Sequence, residues 1–139
     1  MSLLKQAERL FTALNTMDLD TAVAMISPTA DIRTPMGAFT GGKAYREWIS
    51  EHFRAFPDMH HEILGVTVES DRTLAFEWRA TGTFAAPLAT PGGEVPPNGK
   101  TIDLPGAEFW RVEGGLIVID HLYFDRLQFL QQLGLASAS

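Results

Sequence analysis

The chain has 139 residues, 45% of them apolar and 20% charged, which predicts one globular domain, residues 1–139, with a sizeable buried core. Because 17 acidic residues face 11 basic ones, the formal net charge is −6, and an acidic domain lacks the positive surface that nucleic acid requires. The chain contains no cysteine, which excludes disulfides, cysteine zinc sites and thiol nucleophiles.

The N-terminal segment does not have the pattern of a secretion signal. Lys5, Glu8 and Arg9 interrupt its apolar residues, whereas a signal peptide needs an unbroken apolar stretch. No other run approaches the roughly 18 apolar residues of a membrane span. We therefore expect a cytoplasmic protein without a membrane partner.

Three helices are predicted in the first part of the chain. Apolar residues recur at helical spacing over residues 3–14, where Ser2 can cap the helix. A second, short helix is predicted over about residues 18–26 and is ended by Pro28. The third has the clearest stripe, with apolar and aromatic side chains three or four residues apart. Its members are Tyr45, Trp48, Ile49, His52, Phe53 and Phe56.

Four strands are predicted next, in two hairpins. A turn sequence separates the strands of each hairpin, Ser70-Asp71 in the first and Glu113-Gly114-Gly115 in the second. The predicted strands cover residues 60–69, 72–84, 101–112 and 116–124. Helices followed by sequential antiparallel strands predict an α+β fold.

Two further segments complete the chain. Residues 85–100 are rich in proline and glycine, which predicts a long loop at the rim of a pocket. Residues 125–133 predict a short helix that Gly134 ends.

The last predicted strand, residues 116–124, is apolar on both faces. Its apolar residues occupy both alternating positions: Ile117, Val118, Ile119, Leu122 and Phe124. A strand of this kind is buried on both sides. We therefore expect a homodimer formed through the outer face of the sheet.

Several segments together resemble the SnoaL-like polyketide cyclase group of the nuclear transport factor 2-like superfamily. The resemblance covers nearly the whole chain and rests on short runs. They are Phe56-Pro57-Asp58, Gly82-Thr83, Pro96-Pro97-Asn98-Gly99-Lys100, Phe109-Trp110-Arg111-Val112-Glu113-Gly114-Gly115-Leu116-Ile117, Tyr123-Phe124-Asp125 and Gln132-Leu133-Gly134. The resemblance implies a cone-shaped α+β barrel, in which a curved antiparallel sheet wraps around helices and encloses a deep apolar pocket.

The resemblance also implies a type of chemistry. Cyclases of the group close a ring by an intramolecular aldol reaction without a metal or organic cofactor, using an acidic residue on the last long strand. That position falls on Leu122 here, and a histidine that some members carry on the preceding strand falls on Glu108. Because leucine cannot transfer a proton, the family mechanism does not carry over unchanged.

Two functions from different classes fit these observations. The first is a cofactor-independent enzyme that uses acid/base chemistry for cyclisation, isomerisation or dehydration of an apolar, carbonyl-containing small molecule. The second is a non-catalytic small-molecule-binding or accessory module, which the loss of the family acid favours. Fold alone does not decide between them.

Glu108 is the first catalytic candidate. It lies two residues from Trp110 in an apolar strand, so the two side chains share a face. If that face is the inner one, burial raises the pKa of the carboxyl and suits it to proton transfer. The alternative is a structural carboxylate paired across the sheet with Arg79.

Asp120 is the second candidate, since it shares a strand face with Leu122. The alternative is a structural aspartate at the rim or in a hydrogen-bonded position. If the strand has the opposite orientation, His121 and Tyr123 face inward and replace Asp120 as candidates.

His52 is the third candidate, although a histidine on an apolar helix face is more often a core residue. The expected binding residues are Trp48, Phe53, Trp78, Trp110 and Leu122. Aromatic stripes are usually core, but indoles around one pocket also form walls for a planar ligand. Because adjacent strand residues point to opposite faces, His60 and His61 cannot bind one ion together, and we predict no metal site.

Overall fold

The computed structural model describes residues 2–90 and 92–136, which form four helices and eight strands. In chain order these are α1 (Leu3–Asn15), α2 (Leu19–Ala24), β1 (Ile26–Thr34), β2 (Gly37–Thr40), α3 (Gly41–Ala55), β3 (His60–Glu69), β4 (Thr73–Thr83), β5 (Leu88–Thr90), β6 (Gly93–Val95), β7 (Thr101–Glu113), β8 (Leu116–Phe124) and α4 (Arg126–Gln132). No helix within the described ranges is long and apolar enough to cross a membrane.

The main sheet has six strands in the order β2-β1-β8-β7-β4-β3. Its pairs are antiparallel except β1 with β8, which run parallel. The α+β fold is thus confirmed, with a curved sheet around helices. The sheet stays open, however, because β2 and β3 are its two edges and do not pair with each other.

The helices α1 and α3 are stabilised by the features expected from the sequence, an N-terminal cap on α1 and a buried apolar face on both. Ser2 caps α1 by accepting a hydrogen bond from the backbone N–H of Lys5. The apolar face of α1 is buried, and α3 buries Tyr45, Ile49 and Phe53 in the same way. These two helices cover the concave face of the sheet and complete the core.

Strands β1 and β2 were not predicted, and the prediction of an all-antiparallel four-strand sheet was wrong to that extent. Pro28, interpreted as a helix stop, lies inside β1. Between Ile26 and Asp31 the pairing of β1 with β8 shifts register, and a proline without an N–H is tolerated at such an irregularity. Helix α2 therefore ends at Ala24, and the chain continues as a strand.

The segment predicted as a long loop contains the small hairpin of β5 and β6. It is attached to the end of α3, where the carbonyl of Ala55 accepts hydrogen bonds from the N–H groups of Ala85 and Ala86. None of its described residues lines the main cavity, so its predicted place at the pocket rim was wrong.

Candidate active site

A largely apolar cavity lies between the helices and the concave face of the sheet. The space between its walls is about 690 Å³, a figure that includes the part open to solvent. Its lining comes from α1, α3, α4, four strands and the residue that precedes β3: Leu10, Phe11, Leu14, Tyr45, Trp48, Ile49, His52, Met59, His61, Trp78, Ala80, Ile102, Leu104, Glu108, Leu122, Phe124 and Phe129.

Glu108 is the one carboxylate of this lining and is only 5% exposed. The alternation of β7 turns it inward, and it lies opposite Phe76 of β4 and Leu122 of β8. The indole Nε1–H of Trp110 donates a 2.7 Å hydrogen bond to its Oε2. The proposed pairing with Arg79 was wrong, because Arg79 binds Asp103 through two 2.7 Å hydrogen bonds instead.

Asp120 lies next to this site and is fully buried. It pairs across the sheet with Trp110, and neither carboxyl oxygen has a hydrogen-bond partner among the described residues. The opposite strand orientation is excluded: Tyr123 is 55% exposed, and His121 Nε2 lies 3.0 Å from Oδ2 of Asp31. Its full burial excludes the rim position considered as its alternative.

The two buried carboxyls act on each other. Burial is the main cause that raises the pKa of Glu108, while contacts with Asp120, Trp110 and Trp78 oppose the rise. The pKa of Asp120 lies well above its ordinary value, first through burial and then through the Glu108 charge. Because the indole donors favour a charged Glu108, we assign the ionised form to Glu108 and the proton to Asp120.

His52 faces the cavity from α3. Its Nδ1 lies 2.8 Å from the carbonyl oxygen of Trp48, and a carbonyl can only accept, so Nδ1 carries the hydrogen. Burial lowers the pKa of this imidazole. A neutral His52 therefore keeps its Nε2 lone pair available as a proton acceptor.

His61 is a cavity residue that the sequence argument did not select. As expected for adjacent strand residues, His60 is exposed while His61 is partly buried and lines the cavity. Burial is the main cause that lowers the pKa of His61 to about 4. The sequence does not show which face of β3 points into the cavity. That orientation follows only from the pairing of β3 with β4, in which His61 lies opposite Ala80.

Comparisons with known proteins give the family. Residues 7–119 match the family model described as a SnoaL-like domain. The chain belongs to this family. The resemblance to the SnoaL-like group is therefore confirmed, although no curated protein matches the sequence.

Solved structures of this SnoaL-like fold are similar over almost the whole chain. IdmH from Streptomyces antibioticus, a candidate polyketide cyclase, is 26% identical, with 94% of this chain and 96% of that chain covered at a TM-score of 0.77. A candidate SnoaL-like polyketide cyclase from Jannaschia sp. CCS1 is 19% identical, with 96% and 92% covered at a TM-score of 0.81. AclR from Streptomyces galilaeus, a candidate hydroxylase, is 21% identical, with 94% of each chain covered at 0.78.

The aromatic residues of this SnoaL-like domain divide into a wall and a supporting layer. Trp48, Trp78 and Leu122 line the cavity as expected. Trp110 and Phe53 are not in the lining: Trp110 lies behind it and holds Glu108, and Phe53 is 7% exposed and touches the His61 ring. These two residues shape the site without forming its surface.

Gly106 explains the position of one wall residue. It pairs with Trp78 across β4 and β7, and a Cβ at residue 106 would collide with the Trp78 indole ring. The ring therefore lies directly on the β7 backbone. No three potential metal ligands come together anywhere within residues 2–90 and 92–136.

Proposed function

We propose that this SnoaL-like domain is a cofactor-independent enzyme that performs acid/base chemistry on an apolar, carbonyl-containing small molecule. Cyclisation, isomerisation and dehydration all begin with removal of a proton from carbon or end with delivery of a proton to oxygen. The cavity supplies apolar walls for the substrate and Glu108 as the group that exchanges the proton. The candidate polyketide cyclases among the similar structures support a polyketide-like substrate.

The single observation that carries this proposal is the buried Glu108–Asp120 pair at the cavity wall. An ionised Glu108 accepts a proton from the carbon beside the substrate carbonyl, and the protonated Asp120 beside it limits the accumulation of negative charge. The Trp110 indole keeps the carboxyl in one orientation throughout. His52 also lines the cavity, and its Nε2 lone pair is a second proton acceptor there.

Substitution of Glu108 tests this directly. We expect Glu108→Gln to lower turnover of an accepted cyclic or polyketonic ester by about 10²–10⁴-fold, the usual loss for one acid/base group. Ligand-induced quenching of tryptophan fluorescence should remain, because glutamine keeps the shape. Glu77→Gln is the matched control, since Glu77 is exposed and lies outside the cavity. Equal rates in the two variants contradict the assignment.

A non-catalytic ligand-binding module is the second candidate, and Leu122 favours it. This leucine lines the cavity at the position where the resembled cyclases carry their acid. Under that function the same cavity holds a small molecule and Glu108→Gln changes only the affinity. A panel of carbonyl substrates assayed at high enzyme concentration distinguishes the two candidates.

The expected homodimer and cytoplasmic location also remain part of this proposal. The outer sheet face carries exposed apolar side chains, with Phe109 48% and Tyr123 55% exposed and their rings in contact at 5.9 Å. Apolar side chains grouped on an otherwise polar surface are typical of a face that pairs with another copy.

A further inference from the structure

The cavity has a second polar region, away from the carboxyl pair. His52 of α3 and His61 of β3 both line it. The His61 ring packs edge-on against Phe53, with ring centroids 6.2 Å apart, and Phe53 follows His52 in α3. Both imidazoles line one cavity, and His52 acts electrostatically on His61, so the two rings lie in the same region of it.

The strand register separates this region from Glu108. His61 pairs with Ala80, and Ala80 pairs with Leu104 of β7. Glu108 lies four residues farther along β7, which at about 3.4 Å per residue is about 14 Å along the strand. A ligand that reaches both regions must be elongated, with a polar group at each end.

The hydrogen positions on the two rings are complementary. The carbonyl of Trp48 holds the hydrogen of His52 on Nδ1, so its Nε2 is an acceptor. Nδ1 of His61 is buried without a partner among the described residues. Because an orphaned buried N–H is rarer than an orphaned acceptor, the hydrogen of His61 belongs on Nε2. The neutral pair thus offers one donor and one acceptor.

We propose that His52 and His61 bind a carboxylic acid group of the ligand. The Nε2–H of His61 donates to one oxygen of the acid. The proton on the other oxygen moves to Nε2 of His52, which leaves a carboxylate beside an imidazolium. A carboxylate that arrives from solution as the anion takes up one proton in the same step.

The charges around the two rings are consistent with this assignment. Burial lowers the pKa of both, Glu51 opposes the decrease at His52, and His52 and His60 add to it at His61. The remaining neighbours of the His61 ring on α1, α3 and β4 are uncharged: Phe11, Phe53 and Ala80. A ligand carboxylate would supply the anion that makes a protonated imidazole favourable here.

This proposal rests on the proposed function only in requiring that the cavity hold a ligand, and it is tested by binding. Titration calorimetry of the full chain at pH 7, in two buffers of different ionisation enthalpy, measures proton uptake for three probes. They are 2-naphthoate, 2-naphthamide and 2-acetonaphthone. We expect uptake approaching one proton per bound naphthoate and none for the amide, which fills the same donor and acceptor sites without titrating.

The variants locate the effect. His52→Gln should abolish the uptake and weaken naphthoate by about tenfold or more, while changing the amide little. His61→Phe should weaken both probes and keep the aromatic contacts. His60→Gln is the matched control and should change neither, because His60 is exposed beside His61.

Several results would overturn the proposal. These are naphthoate binding without proton uptake, uptake that survives His52→Gln, acetonaphthone binding as tightly as naphthoate, and no naphthoate binding at millimolar concentration. Glu108→Gln separates the two proposals: it should remove turnover but leave the proton uptake intact. Loss of uptake in that variant would assign the acid to the carboxyl pair instead.

Discussion

Replacing Asp120 by asparagine removes a buried carboxyl group that is protonated, and therefore neutral, in the folded state. The side chain is fully buried, and burial together with the Glu108 charge raises its pKa well above 3.8. In the unfolded chain the same carboxyl ionises near its ordinary value. The folded state therefore holds a proton that the unfolded state has released, so this group makes folding less favourable as the pH rises above about 4.

The size of the effect follows from the linkage between proton binding and folding. While Asp120 stays protonated in the folded state, the free energy of unfolding decreases by about 1.4 kcal/mol per pH unit. Asparagine is uncharged and of nearly equal size, so it removes this dependence. Between pH 5 and pH 7 the wild type should lose up to about 2.7 kcal/mol relative to Asp120→Asn, the limit reached if Asp120 stays protonated in the folded state throughout, which corresponds to at most roughly 1–2 M in the urea midpoint.

Urea denaturation followed by tryptophan fluorescence at several pH values measures this difference. Asp103→Asn is a control of opposite sign. The hydrogen bonds from Arg79 lower the pKa of Asp103, so its stabilisation is present above the ordinary carboxyl pKa and is lost as the pH falls. Parallel pH profiles for the wild type and Asp120→Asn would refute the assignment of a protonated, buried Asp120.

Three further predictions concern other parts of the molecule. Gly106→Ala should displace the Trp78 ring, destabilise the fold by about 1–3 kcal/mol and weaken ligand quenching, whereas Gly65→Ala, with open space around it, should do neither; equal effects contradict the packing argument. Tyr123→Glu should convert the proposed dimer to a 15.3 kDa monomer in sedimentation equilibrium, and an unchanged mass argues against this interface. Below pH 6.5 the unfolded chain takes up a proton on His61 that the folded protein does not, so the wild type loses stability as the pH falls to about 4. His61→Phe should remove this loss, which amounts to up to about 3 kcal/mol of the free energy of unfolding. An unchanged midpoint of acid denaturation would contradict the low pKa of His61.

Helices and strands whose apolar residues recur at regular spacing were predictable from the sequence. Strands β3 and β8 were predicted with the bounds that they have, and α1 and α3 nearly so. The failures have local causes. Strand β1 was missed because Pro28 was interpreted as a helix stop. The proline is accommodated at a register shift between β1 and β8, which the sequence of β1 alone does not reveal. The hairpin of β5 and β6 was missed because its segment is rich in proline and glycine, which predicts a loop.

The candidate site was predictable only where a strand has one apolar face. Glu108 shares its inward face with Trp110, and the alternation of β7 keeps that face buried. Strand β8 is apolar on both faces, so its orientation stayed open until its pairing with β7 placed Asp120 inside and Tyr123 outside. His61 depended on contacts between β3 and β4, which are 17 to 21 residues apart in its immediate register.

Leu122, at the position where the resemblance places an acid, does not by itself rule out the proposed acid/base chemistry. Glu108 is the cross-strand partner of Leu122 in the pairing of β7 with β8. Side chains that pair in this way have Cβ atoms about 4.5–5.5 Å apart on the same face. An acid at residue 108 therefore enters the same cavity that an acid at residue 122 would enter, from the neighbouring strand. The longer glutamate side chain and the hydrogen bond from Trp110 then determine where its carboxyl lies. An acid at either position reaches this cavity, so a leucine on β8 is compatible with the proposed acid/base chemistry.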